Sequence, residues 1–303
     1  MEPGRRILVT GATGQVGLPV ASALAENHEV VAAARFTQPE NRSVLEAAGV
    51  RCVPFDLATG DLTDVPSDVD HVVHFGVVKS QRWETDLRAN AEGVGLLMAH
   101  CASARSFLHC STTGVYEPAG QRVLTETAPL GDNHRVMMPT YSITKIAAEA
   151  VVRTMARHLG LPTTIARLNV PYGDEGGWPA FHLEMLLAGH AIPVHPDRPN
   201  LFNPIHHDDI VAMVPKLLDV ATVPATIVNW GGDEQVALED WVAELGRLVG
   251  RHVEFVETED TIGGVTVDLT KLHELVGHAS VDWRDGMRRM VESLHPELLA
   301  GKR

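Results

Sequence analysis

Tyr141 and Lys145 stand four residues apart in the run Tyr141-Ser142-Ile143-Thr144-Lys145-Ile146-Ala147-Ala148-Glu149, whose pattern predicts a helix. On a helix that spacing puts both side chains on one face, with Cβ atoms about 5–6 Å apart. The pair suits proton transfer. A free phenol, with a pKa near 10, is a poor base at neutral pH. An adjacent ammonium favours the phenolate and draws that pKa toward the working range. Upstream, Ser106 to Tyr116 reads as a strand ending in the hydroxyls Ser111, Thr112 and Thr113, which can hydrogen-bond a substrate oxygen.

Such groups need something to act with, and the start of the chain offers it. Thr10-Gly11-Ala12-Thr13-Gly14-Gln15-Val16-Gly17 lies between the apolar run Ile7-Leu8-Val9 and the helical stretch Leu18 to Ala25. A strand that enters a helix through glycines exposes backbone N–H groups and a helix N-terminus to a pyrophosphate. A dinucleotide is therefore expected on Gly11, Thr13, Gly14, Gln15, Val16 and Gly17. The spacing is Gly-x-x-Gly-x-x-Gly, which departs from the general Gly-x-Gly-x-x-Gly fingerprint.

The elements that position these residues follow in order. A second strand, His28 to Arg35, ends in Ala34-Arg35 with no carboxylate before Glu40. An Arg there accommodates a ribose 2′-phosphate where an acid would bind a 2′-hydroxyl, so NADP is expected over NAD, with NAD allowed. Val50 to Leu57 reads as a third strand whose Asp56-Leu57 end reaches the adenine edge, and Asp70 to Val77 as a fourth. The helix expected over Thr85 to Ala104 carries Asn90 and an interior Gly93. Such a Gly costs about 1 kcal/mol against Ala, so close packing on the sheet is the expected reason for it. Strands alternating with helices imply right-handed crossovers and a parallel sheet, with ligands at the carboxyl ends of the strands.

Beyond Pro171 the alternation breaks up. Helices are expected over Trp178 to Gly189, Asp208 to Val220, Leu238 to Leu248 and Asp282 to Leu294. Extended pieces are expected at Ile192 to Val194 and Val253 to Val256, and the strand Thr226 to Trp230 should rejoin the main sheet. The predicted architecture is α/β: a Rossmann-type doubly wound parallel sheet over residues 1–170, rejoined by 204–230, with a smaller C-terminal α/β substrate domain from 171–203 and 231–303.

Composition narrows the partners. With 303 residues the chain can bury a large core. A net charge of −14 without a basic run argues against nucleic acid or an anionic membrane surface. No segment approaches the ~20 apolar residues that span a bilayer. Cys52, Cys101 and Cys110 show no paired spacing, so no disulfide framework or zinc site is indicated, and a cytoplasmic protein is expected. His206-His207-Asp208-Asp209, with His195 and His182 nearby, is rich in ligand types. Adjacent residues rarely converge on one centre, so no metal is expected.

Together these features resemble the extended short-chain dehydrogenase/reductase family, also called the NAD-dependent epimerase/dehydratase family, over nearly the whole chain. The resemblance rests on Thr10-Gly11-x-x-Gly14-x-x-Gly17, Asp56-Leu57, Asn90, Ser111-Thr112 ahead of Val115-Tyr116, and Tyr141-x-x-x-Lys145. It continues in Arg167 to Gly173, Pro204 to Ile210 and Val228 to Gly232. It implies that Tyr141 is the acid/base, that Lys145 lowers its pKa and binds the nicotinamide ribose, and that Thr112 holds the reacting oxygen. Arg35 would contact the adenosine end, Asp56 and Leu57 the adenine, and Phe75 and Gly76 the nicotinamide side, with Asn90 completing the cofactor set. Val77, Thr113, Asn169, Trp178 and Arg198 are the expected substrate contacts. A homodimer through Ala91 to Ala104 and Ile146 to Ala156 is implied as well.

The implied activity is NAD(P)-dependent hydride transfer at a secondary alcohol or ketone carbon of a small molecule. The alternatives are a nucleotide-sugar 4-epimerase with retained NAD and a non-catalytic dinucleotide-binding regulator; the presence of Thr112, Tyr141 and Lys145 argues against the latter. Three departures from the family pattern bear on the reaction. Phe75-Gly76 replaces Ala-Ala. Thr113-Gly114 replaces the Asp-Glu of sugar 4,6-dehydratases, which disfavours dehydration. Phe202-Asn203-Pro204 replaces an Arg-Asp pair of nucleotide-sugar epimerases, with Arg198 the nearest substitute.

Overall fold

Short apolar runs bounded by turns and covered on both sides become parallel strands. In the computed structural model, which describes residues 1–299, seven of them form the central sheet. They are β1 (Arg6–Thr10), β2 (Glu29–Ala34), β3 (Arg51–Pro54), β4 (His71–His74), β5 (Ser106–Thr112), β6 (Thr163–Leu168) and β7 (Thr226–Trp230). Their order is β3-β2-β1-β4-β5-β6-β7, with every pairing parallel. The order reverses between β1 and β4, which opens a crevice at the carboxyl ends of those strands.

The two-residue period of a strand divides the core. Ile7 and Val9 join an apolar cluster on one face of the sheet, and Leu8 joins the cluster on the other. Helices Gly17–Ala25 and His207–Asp219 cover the first face. The second is covered by Gly93–His100 and by Tyr141–Leu159, which buries Ala148, Val152 and Ala156.

The helix expected from Thr85 to Ala104 is divided into Trp83–Leu87, a wider π-helical turn Arg88–Glu92, and Gly93–His100. Close packing accounts for Gly93: a Cβ there would stand 2.8 Å from the Leu57 carbonyl oxygen. The fifth strand stops at Thr112, where a tight helical turn, Thr113–Val115, takes over. In the C-terminal part, Pro204–His206 pairs with Val170–Gly173 in a small sheet of its own, and the helix Thr270–Leu275, absent from the sequence reading, follows a short strand at Thr266–Val267. No described helix is long and apolar enough to cross a membrane.

Several histidines lie inside this core. His74 bonds Thr10 Oγ1 through Nδ1 at 2.6 Å and stacks on His109 with centroids 5.3 Å apart. Burial holds His74 down to about 3 and His109 well below its ordinary value; His182 and His207 are lowered to about 4. The unfolded chain binds protons near pH 6.5 that the folded chain refuses. Stability from these groups is therefore complete above that pH and lost as pH falls toward their folded values. The urea midpoint should drop between about pH 7 and about pH 5; a flat or rising midpoint contradicts the account.

Candidate active site

The glycine loop is built on backbone contact. Gly11 has φ +69°, and a Cβ on it would lie 2.6 Å from the Gly76 nitrogen; one on Gly17 would lie 2.3 Å from the Gly11 oxygen. No side chain fits at either point, so main chain faces the crevice and the helix Gly17–Ala25 starts there. Gly11 N–H donates to the Ala33 carbonyl at 3.1 Å, and Asn41 Nδ2 donates to the Thr13 carbonyl at 3.0 Å, which ties the loop to β2 and to the helix Pro39–Ala47.

The loop opens onto a cavity of about 700 Å³, a usual size for a small-molecule site. Gly11, Gly14, Gln15, Val16 and Gly17 line it, with Phe75 and Val77 from the segment after β4. Thr112, Thr113, Tyr141, Lys145, Asn169 and Trp178 line it as well.

Tyr141 is half-buried at the start of its helix. Burial pushes its phenol up to about 12, against a smaller opposing pull from the Thr112 hydroxyl. Thr112 Oγ1 accepts from the Gly114 N–H at 3.1 Å, which leaves its own proton for a ligand oxygen or for Tyr141. Lys145 is buried, and desolvation lowers its pKa. Its Nζ donates to the Cys110 carbonyl at 2.7 Å. Burial, the Thr112 hydroxyl and Cys110 are the groups that move the phenol, and Lys145 shares the cavity with it.

Other expected residues prove to have their polar atoms engaged within the protein. Asn90 accepts from the Val78 N–H at 2.7 Å and donates to the Val78 carbonyl at 2.8 Å, so it shapes the loop after β4. Asn169 lines the cavity, but its amide donates to Thr113 Oγ1 and the Val265 carbonyl, and its Oδ1 accepts from the Val170 and Asn203 N–H groups. Asp56 accepts from the Ala58 N–H at 3.0 Å. Arg198 lies outside the cavity lining and donates to Glu239 at 2.8 Å, so it does not replace the missing Arg beside Phe202. Thr13, Arg35, Leu57 and Gly76 are likewise outside the lining; Arg35 is exposed at the end of β2.

The cavity also holds side chains that the sequence reading passed over. Lys79 Nζ lies 4.8 Å from the Tyr141 ring centroid. The His134 ring is tilted against Tyr141, with centroids 5.5 Å apart. Gly114 makes room for it, since a Cβ there would be 2.6 Å from His134 Cε1. An acidic side chain at this position, as in the dehydratase pattern, would collide with that ring. Met137, Met138, Phe181, Phe202, Ile262 and Val265 also line the cavity. The sequence signal for them was slight, because Lys79, His134 and the two methionines sit in aperiodic loops and Ile262 and Val265 lie more than a hundred residues beyond the motif.

His206 Nδ1 accepts from the Asp208 N–H and caps a helix, while Asp209 receives Ser280 and Val281. His182 accepts from Trp241 Nε1 at 3.1 Å. The imidazoles and carboxylate that do converge are those of Asp233, His273 and His278, outside the cavity lining.

Known proteins resemble this chain in sequence and fold. A family model described as the NAD dependent epimerase/dehydratase family matches residues 7–231. A dTDP-glucose 4,6-dehydratase of Streptomyces griseus is 28% identical over 95% of this chain and 94% of its own length. The low-salt glycan biosynthesis protein Agl12 of Haloferax volcanii is 25% identical over 94% of this chain and 97% of its own length. The UDP-glucuronic acid 4-epimerase of Bacillus cereus, solved with UDP-glucuronic acid and NAD, shares the fold at a TM-score of 0.83 and 20% identity, covering 96% of this chain and 99% of that one.

The chain has three tyrosines, and burial raises the phenols of Tyr116, Tyr141 and Tyr172 alike. The cofactor-free protein should therefore show little tyrosinate absorbance at pH 10, where a free phenol is half ionised. Half-ionisation of one phenol at that pH in wild type, lost in Tyr141→Phe, would show that Tyr141 is not raised.

Proposed function

We propose that this chain, which belongs to the NAD-dependent epimerase/dehydratase family, is an oxidoreductase that moves a hydride between NAD(P) and a secondary alcohol or ketone carbon. The supporting observation is that Thr112, Tyr141, Lys145 and the glycine loop share one cavity. The bare main chain around Gly11 and Gly17 suits a pyrophosphate, and Lys145 supplies a buried cation beside the phenol. The dinucleotide, when bound, supplies or accepts the hydride, which leaves proton transfer and positioning to the protein. Tyr141 gives or takes the proton of the substrate oxygen, and the Thr112 hydroxyl donates to that same oxygen.

Residues 1–170 with 204–230 hold the cofactor in this reading, and 171–203 with 231–303 hold the substrate. Arg35, exposed after β2 with no carboxylate before Glu40, favours NADP. Leu96 and Ile143 stay exposed on the helices that would pair in a homodimer. Three unpaired cysteines suit a reducing, cytoplasmic setting.

A nucleotide-sugar 4-epimerase with retained NAD is the second reading, favoured by the likeness to the Bacillus cereus enzyme. The two differ in cofactor exchange. NAD(P) absorbance released when the purified protein is denatured marks the epimerase; its absence marks a reductase that exchanges cofactor at each turnover.

Tyr141→Phe should lower turnover by ~10²-fold or more while dinucleotide affinity is kept. Turnover close to wild type would sink the mechanism. Arg35→Asp should weaken NADPH binding far more than NADH binding, and equal losses for the two would remove the NADP preference.

A further inference from the structure

The cavity wall carries few charges. The cationic side chains among its described lining residues are Lys79 and Lys145, and no carboxylate is among them. Lys79 lies over the Tyr141 ring, and Lys145 is bonded to the Cys110 carbonyl. The lining also holds the apolar side chains Trp178, Phe181, Phe202, Met137, Ile262 and Val265. Trp178 packs edge-on against Phe202 with centroids 5.1 Å apart, so these two rings brace one another. Asn169, bonded to the Val265 carbonyl, has both amide donors and its oxygen engaged within the protein.

A nucleotide diphosphate would fare badly against that wall. Multiply charged phosphates taken out of water need cationic or N–H partners, and an unpaired buried charge is costly. No arginine is among the described lining residues, and Arg198 is bonded to Glu239. The net charge of −14 adds long-range repulsion. The polar groups gather instead around Tyr141: Thr112, Thr113, and the His134 ring, whose buried Nδ1 has no hydrogen-bond partner.

We infer that the substrate is an uncharged, largely apolar ketone or secondary alcohol, its oxygen at Thr112 and Tyr141, its hydrocarbon body against Trp178, Phe181 and Phe202. This rests on the hydride-transfer reading above and decides against the nucleotide-sugar alternative. His134 Nδ1 is then available to a second polar group close to the reacting carbon.

The test is calorimetric titration of the full-length chain, saturated with NAD or NADP, using UDP-glucose and a series of uncharged ketones from cyclohexanone to α-tetralone. The best ketone should bind at least about tenfold more tightly than UDP-glucose. Phe181 is 57% exposed, so Phe181→Arg can place a cation on the cavity lining without opening the core. That variant should gain affinity for UDP-glucose and lose it for the ketone. If UDP-glucose binds the loaded wild-type chain as tightly as the best ketone, or no ketone binds it, the substrate class is overturned while hydride transfer stands. If neither dinucleotide binds, or Tyr141→Phe keeps full turnover, the underlying reading fails instead.

Discussion

Glu149 and Arg167 form an ion pair in which each side chain is 3% exposed, and the placement of the candidate chemistry depends on it. The contact is bidentate, with Nε and Nη2 at 2.9 and 2.7 Å from the two carboxylate oxygens. Ser111, next to Thr112, donates to the same carboxylate at 2.6 Å. Arg167 reaches on to the Tyr116 hydroxyl, which donates to Asn229 on β7. Burying two charges returns little net stability, so what the pair contributes is geometry. Glu149 lies one helical turn beyond Lys145 and two beyond Tyr141, so tying it to β5 and β6 sets the rotation of the helix that carries both. A second tie acts at the start of that helix, where Thr140 donates to the buried Asp86 at 2.6 Å.

The sheet completes what these ties begin. Parallel strands all end on the same side, so the loop after β1, the residues after β4 and the hydroxyls of β5 meet at one crevice although they are separated by a hundred residues. The glycines bring the main chain close enough to be useful. Gly11 and Gly17 permit backbone contacts that any side chain would block, and Gly93 lets its helix settle on the Leu57 loop. The fold therefore lines part of the cavity with close-packed backbone and part with hydroxyl, phenol and ammonium side chains.

This division explains what could be read from the sequence. The glycine loop, the strand hydroxyls and Tyr141-x-x-x-Lys145 are local patterns, each carried by one element, and the structure gathers them at one cavity. The apolar runs that became β1, β2 and β4 were legible because a buried parallel strand must be apolar on both faces. Polar residues were harder. Asn90, Asn169 and Arg198 have the chemistry of ligand contacts, yet each is bonded to other parts of the protein, and one-dimensional spacing does not reveal a long-range partner. His134, Lys79 and Phe202 reach the cavity from loops and a short strand that have no period, so tertiary packing alone discloses them.

The phenol shows how the parts depend on one another. Desolvation in the cavity holds Tyr141 at about 12, well above the range of a useful base at neutral pH. Lys145 Nζ donates to the Cys110 carbonyl, and desolvation lowers its pKa. A further positive charge next to the ring, or a hydrogen bond to the charged oxygen, is what brings such a phenol down. Thr112 at the hydroxyl pulls in that direction, and Lys79 and Lys145 are the lysines that share the cavity with the ring. A ligand charge or hydrogen bond in the cavity would act on the Tyr141 phenol in the same way, because the glycine loop and the phenol line one cavity.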